Sequence, residues 1–271
     1  HLKTLQGVTD ISWIGKLSGL TSLVIDYVAE ADISAIGSLP NLTSLKINRL
    51  SATENLTNLT SLDIDYVDEA SISAIDNLTK LTSLNISSLG GVTDISAIGE
   101  LINLTSLNIY NLYGLADISA IGNLTKLTSL ALGDAGGTDL SPIGNLTNLT
   151  SLHLKTLQGV TDISWIGKLS SLTSLVIGYV DKTDISPIGS LPNLTSLVLG
   201  DVDNFVKLPI TDISAIGNLT KLTSLKFGDV SGTNLSPIGN LTNLTSLHLK
   251  TLRGVTDISW IGKLSSLTSL V

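Results

Sequence analysis

The sequence predicts an α/β solenoid, a stack of short units that each contribute one strand and one turn of helix. Two observations predict it. The tetrapeptide Leu-Thr-Ser-Leu occurs twelve times, beginning at Leu20, Leu42, Leu59, Leu81, Leu104, Leu127, Leu149, Leu172, Leu194, Leu222, Leu244 and Leu267. The steps between successive copies are 22, 17, 22, 23, 23, 22, 23, 22, 28, 22 and 23 residues, an interval regular enough to mark a repeat array.

Within the interval from Leu20, Ser22-Leu23-Val24-Ile25-Asp26 alternates small or polar with large apolar residues, the period-two signature of a strand. Leu23 and Ile25 are expected to face inward, and Ser22, Val24 and Asp26 outward. Asp32-Ile33-Ser34-Ala35-Ile36-Gly37 then reads as a loop entering a short helical turn, with the Ser34 hydroxyl as its N-cap. At the equivalent site Ser141, Ser186 and Ser236 are followed by proline, a residue favoured at the first helical position. The glycine two residues further on is expected to keep the turn short. Apolar residues recur at seven positions, in this unit Leu20, Leu23, Ile25, Val28, Ile33, Ile36 and Leu39. A single unit cannot bury that surface on itself, so stability is expected to be collective.

The reading is one solenoid over residues 1–271, about twelve repeats of 22–23 residues. A short unit near 42–58 lacks the Asp-Ile-Ser-Ala-Ile-Gly segment and is expected to bend the array. A long unit near 194–221 carries an insertion, Asp201 to Pro209, whose Phe205 is a candidate contact element. The chain starts inside a unit and neither end shows a capping unit, so a longer array is expected. Residues 133–176 match 228–271 except at Ala135/Val230, Gly136/Ser231, Asp139/Asn234 and Gln158/Arg253. Residues 1–28 match 153–180 except at Gly19/Ser171 and Asp26/Gly178.

Composition narrows the function. The formal net charge of −8 disfavours a phosphate backbone as partner, so no nucleic acid is expected. No apolar run approaches the roughly 20 residues of a membrane helix, and no basic amphipathic stretch suits a membrane surface. There are no cysteines, which removes disulfide and thiolate chemistry.

The pattern L-x-x-L-x-L, then I-x-D-I-x-x-I/L-x-x-L, runs from LTNLTSLHL to TDISWIGKL over residues 146–169. It resembles bacterial leucine-rich repeats of the internalin type, over essentially the whole chain. The 22-residue interval is also similar to that of a regulatory subunit of protein phosphatase 1. The resemblance implies a horseshoe or arc with a parallel β-sheet on its concave side and short helical or 3-10 turns on its convex side. It also implies a bacterial cell-surface or secreted module that binds a protein or glycan on the concave face. The family usually carries an asparagine just after the strand. Here that column is apolar, as at Val67, Leu89, Leu112, Leu157 and Val230, so the loops must satisfy their backbone groups in another way.

No catalytic or metal constellation emerges. His1, His153 and His248 share one outward column. The last two are four units apart, roughly 19 Å at about 4.8 Å per strand, too far to share a metal ion. Column neighbours of His153 are Ala131 and Val176, so no carboxylate orients it and no triad forms. The recurrent aspartates before each turn, such as Asp94, Asp117 and Asp162, offer one carboxylate per unit. That is too few for a calcium site, and an Asx-type turn in which each accepts a backbone N–H is expected instead. Trp13, Trp165 and Trp260 are expected on the convex side, partly exposed. Asn-x-Thr sequons, such as Asn41-Leu42-Thr43, fall out of the repeat.

The varied outward columns of the N-terminal half hold Asp26, Tyr27, Lys46, Asn48, Arg49, Asp63, Asp65, Tyr66, Asn85, Asn108 and Tyr110. This mixture suits a protein or glycan ligand. The expected function is non-catalytic binding or adhesion, without a cofactor. The alternative is a structural solenoid that self-associates end to end through uncapped faces, as a spacer in a surface layer or filament.

Overall fold

The computed structural model describes residues 1–4, 8, 10–27, 34–49, 56–180, 184–200, 210, 212–230 and 232–271, without the side chains of Lys3, Thr4, Tyr27 and Val180. The insertion with Phe205 and the crossing of the short unit at 50–55 lie outside the described residues. The chain forms two compact units, His1–Leu127 and Thr128–Val271.

In the first unit six strands lie side by side in chain order and parallel: β1 (Leu2–Thr4), β2 (Ser22–Tyr27), β3 (Ser44–Arg49), β4 (Ser61–Val67), β5 (Ser83–Leu89) and β6 (Ser106–Ile109). The second unit repeats this with β7 (Ser129–Leu132), β8 (Ser151–Leu157), β9 (Ser174–Val180), β10 (Ser196–Leu199), β11 (Ser224–Asp229), β12 (Ser246–Thr251) and β13 (Ser269–Leu270). Register matches like with like: Leu62 pairs with Leu84, Ile64 with Ile86 and Ser61 with Ser83. The alternation within one strand therefore becomes columns across strands, with Leu45, Leu62, Leu84 and Leu107 all buried.

Each strand is entered through a second, polar column. The Thr60 N–H and hydroxyl both donate to the Thr43 carbonyl, at 2.8 and 3.1 Å. Thr82 repeats this on Thr60, and Thr245 on Thr223. Within each unit the threonine of Leu-Thr-Ser-Leu thus ties a repeat to the one before it.

The turns are mostly five-residue 3-10 helices, such as Ser119–Asn123, Ser164–Lys168 and Ser214–Asn218. Spacing explains the choice. Ile163, Ile166, Leu169 and Leu172 are three apart, and all are buried. A three-residue turn stacks positions i and i+3 on one face, which a 3.6-residue turn does not. Successive N–H groups of Ile166, Leu169 and Leu172 donate to the carbonyls three residues back, each at 3.0 Å. Among the described residues two pieces are α-helical: α1 (Glu69–Ser73) and α2 (Ser96–Gly99). No helix among the described residues is long and apolar enough to cross a membrane.

Three local expectations need correction. The serine does not cap the turn; it is the first residue of it. The aspartate two residues earlier accepts the serine N–H instead, as Asp117 does from Ser119 at 2.7 Å and Asp162 from Ser164 at 2.7 Å. The glycine of the turn serves close approach: a Cβ on Gly189 would lie 2.5 Å from the Ala215 carbonyl oxygen. Lastly, only Trp13 is exposed, at 45%, whereas Trp165 and Trp260 are 2% exposed. Their Cβ atoms stand over Gly144 and Gly239 of the preceding turns.

Candidate functional site

The strand alternation that buries one set of side chains delivers the other to the outward face of the sheet. On β3, β4 and β5 the third strand position holds Lys46, Asp63 and Asn85, in register. The Lys46 Nζ donates to Asp63 Oδ2 at 2.9 Å, and the Asn85 Nδ2 to Asp63 Oδ1 at 2.7 Å. The hydrogen bond from Lys46 to Asp63 raises its pKa above the usual lysine range; the charges of Asp63, Asp65 and Asp26 add to the effect, and partial burial opposes it. Asn108 on β6 continues this column beside Asn85.

One column over, the Arg49 guanidinium lies 4.8 Å from the centroid of the Tyr66 ring. On β5's side the ring and hydroxyl of Tyr66 lie across Gly90, filling the space a Cβ would need. Arg49 is also close enough to Asp68 to help hold that carboxylate below its usual range, after the hydrogen bonds from the Ser71 hydroxyl and N–H. Asp68 caps α1 through the same bonds, 2.6 and 2.9 Å long. Asp26 lies 2.9 Å from His1 Nε2. Asp65 and Asn48 are half-buried, and Tyr110 is 43% exposed just beyond β6. The structure therefore joins Lys46, Asp63 and Asn85 by hydrogen bonds, pairs Arg49 with Tyr66 on the same strands, and leaves Tyr110 open. Tyr27 ends β2, and its side chain is not described.

In the second unit the column of His153 runs through Ala131 and Val176, as the register requires. On the turn side of the first unit a cavity of about 230 Å³ has Glu69, Asp76, Asp94 and Glu100 on its walls. Two of these carboxylates serve the backbone: Glu69 accepts the Thr93 N–H at 3.0 Å, and Asp94 that of Ser96 at 2.7 Å. Among the described residues no three histidine or acidic side chains gather where they could hold a metal ion.

An internalin of Listeria monocytogenes, InlF, is 31% identical over 97% of this chain and 76% of its own, with a TM-score of 0.73. The chain belongs to the internalin-like leucine-rich-repeat proteins. Internalin C2 of the same organism is 28% identical over 74% of this chain and 83% of its own, with a TM-score of 0.50. A plant peptide hormone receptor, RGFR1, in complex with RGF2, shares the fold at 21% identity and a TM-score of 0.59, over 93% of this chain and 47% of its own. No protein-family model matches the sequence, and neither does any curated protein.

In this internalin-like chain the apolar column is buried, ending the strand at Val67, Leu89 and Leu157 and following it at Leu112 and Val230. Backbone turns satisfy the loop in two of the units. The Val160 N–H donates to the Leu157 carbonyl at 3.1 Å across Gly159, whose φ is 81°. Val255 repeats this on Leu252 across Gly254, at φ 74°. Positive φ at the third turn position suits glycine. Asparagines do form a ladder, before the strand: Asn103 donates to the Thr79 carbonyl at 2.9 Å and accepts from Lys126 Nζ at 2.7 Å. The sequon at Asn41 is drawn into the same use, since its amide donates to the Ser18 carbonyl at 2.8 Å. Sequence reasoning missed this column and the threonine ladder. The signal for the second was a threonine kept in all twelve copies of the motif; the asparagine column gave a weaker one, since Lys80, Lys126, Ser171 and Lys221 alternate with it.

Proposed function

We propose that the chain is a non-catalytic protein-binding module of a bacterial cell-surface or secreted protein, engaging its partner on the outward face of β2–β6. The observation that carries this reading is Tyr66, held between Arg49 and Gly90 beside the bonded Lys46, Asp63 and Asn85. An aromatic ring fixed before the partner arrives loses little freedom on binding, and Tyr and Arg are the residues enriched at binding hot spots. Exposed Tyr110 extends the surface. The internalin neighbours support a binding role, and a receptor of this fold stands in complex with RGF2. Adhesion is the natural use of such a face on a cell surface.

The test selects peptides from a displayed random library against the whole chain and measures their affinity for Tyr66→Ala and Arg49→Ala. Losses of about 30-fold, the 2 kcal/mol of a hot-spot residue, are expected for Tyr66→Ala. Unchanged affinity in both variants would sink the reading. Binding only to glycans on an array would move the partner to another class.

A further inference from the structure

The second unit carries the same surface element twice. Of residues 133–176 and their copy 228–271, all but four positions are identical. Packing accounts for the copying of Leu152/Leu247 and Leu154/Leu249, which are buried. It does not account for His153 and Lys155, which stand exposed on β8, or for His248 and Lys250, half-buried on β12. Alternate residues of one strand share a face, so each copy places an imidazole and an ammonium side by side. Partial burial of the ring's inner side, and then the nearby Lys155 charge, hold the His153 imidazole below its usual range.

Between the two pairs the same columns hold Val176 and Gly178 on β9, Val198 on β10 with Gly200 just beyond it, and Lys226 and Gly228 on β11. No carboxylate occupies either column on these five strands. Asp229, copied from Asp134, stands at the end of β11, one residue beyond them. The backbone itself keeps the middle of this surface bare. A Cβ on Gly178 would run into the Lys155 carbonyl, and Gly200 has φ 88°. The result is a trough across the strands, floored by glycine, edged by Val176, Val198 and Lys226, with a histidine and a lysine at each end.

We propose that this trough binds an extended acidic peptide whose carboxylates reach His153/Lys155 at one end and His248/Lys250 at the other. Four strand steps of about 4.8 Å separate the pairs by roughly 19 Å. An extended chain at about 3.3 Å per residue covers that distance in about six residues. An even separation puts both acidic side chains on one face, toward the lysines. Small or apolar residues between them lie over Val176 and Val198.

The experiment measures fluorescence anisotropy of labelled peptides on the whole chain, at low ionic strength where the attraction is least screened. Three peptides of glycine, serine and valine are compared: two glutamates six residues apart, two glutamates three apart, and two lysines six apart. The first should bind about tenfold more tightly than either other. Lys155→Gln and Lys250→Gln should each cost about tenfold, with circular dichroism unchanged. Lys168→Gln on the turn side, and Arg49→Ala in the first unit, should cost nothing, which separates this surface from the proposed site on β2–β6. Equal affinity for all three peptides overturns the proposal. So does full affinity in both lysine variants, or binding of a sulfated oligosaccharide in place of the peptide.

Discussion

A Cβ on Gly90 would fall within the ring of Tyr66, so the bare backbone at 90 is what lets that ring lie flat between β5 and the Arg49 guanidinium. The obstacle is the end of a side chain that can swing away. Gly90→Ala should therefore leave stability within about 0.5 kcal/mol while displacing the ring. Its affinity for peptides selected on the whole chain should fall toward that of Tyr66→Ala. An alanine variant that binds as well as the parent would show that the ring's position does not matter.

Gly189 presents the opposite case. A methyl group there would lie 2.5 Å from the Ala215 carbonyl, and backbone cannot step aside cheaply. Gly189→Ala should destabilise by about 1–3 kcal/mol, the usual penalty for overpacking. Gly19→Ser should be nearly neutral, because nothing lies within 4 Å of a Cβ at that position. Urea denaturation of the two variants checks the contrast; equal losses would contradict the packing account.

The three tryptophans make a matched series, since the sequence around them is almost identical. Trp165 is 2% exposed and Trp13 is 45% exposed. Trp165→Ala should cost about 3–5 kcal/mol, as for other buried large-to-small changes, and Trp13→Ala much less. Fluorescence should agree: the Trp13→Ala variant loses the component most accessible to an aqueous quencher.

The aspartates before the turns give the fold an acid limit. The Ser164 N–H, and then its hydroxyl, hold the Asp162 carboxyl below the usual carboxylate range. Asp117, Asp212 and Asp257 are lowered in the same way by Ser119, Ser214 and Ser259. A depressed folded pKa stabilises the fold above the unfolded value of about 3.9, and that contribution is lost as pH falls through the folded value. Asp162→Ala should thus lower the melting temperature at pH 7, and the gap to the parent should close as pH falls below the unfolded carboxylate value. A gap that stays constant with pH would mean the carboxylate charge is irrelevant.

The fold was legible because burial has a period. Leu and Ile at alternating positions set the strands and their register, and nothing in the structure competes with them. The turns were legible in place but not in detail. A short helical turn was expected, and the spacing of three at Ile163, Ile166 and Leu169 explains why it is 3-10; the glycine and tryptophan between them are chosen by the neighbouring turn, which one unit's sequence does not display. The outward face was legible as a set of residues. Which of them bond to one another depended on register, and so Lys46 with Asp63, and Arg49 with Tyr66, emerged only from the structure.

The most direct measurement places a photo-crosslinking benzoylphenylalanine at Tyr110, on the outward face, and separately at Trp13, on the turn side of the same unit. Each protein is irradiated with a peptide selected for binding the unmodified chain. The account predicts a cross-link from position 110 and none from position 13. Cross-linking from 13 alone would contradict it and move the binding surface to the turns.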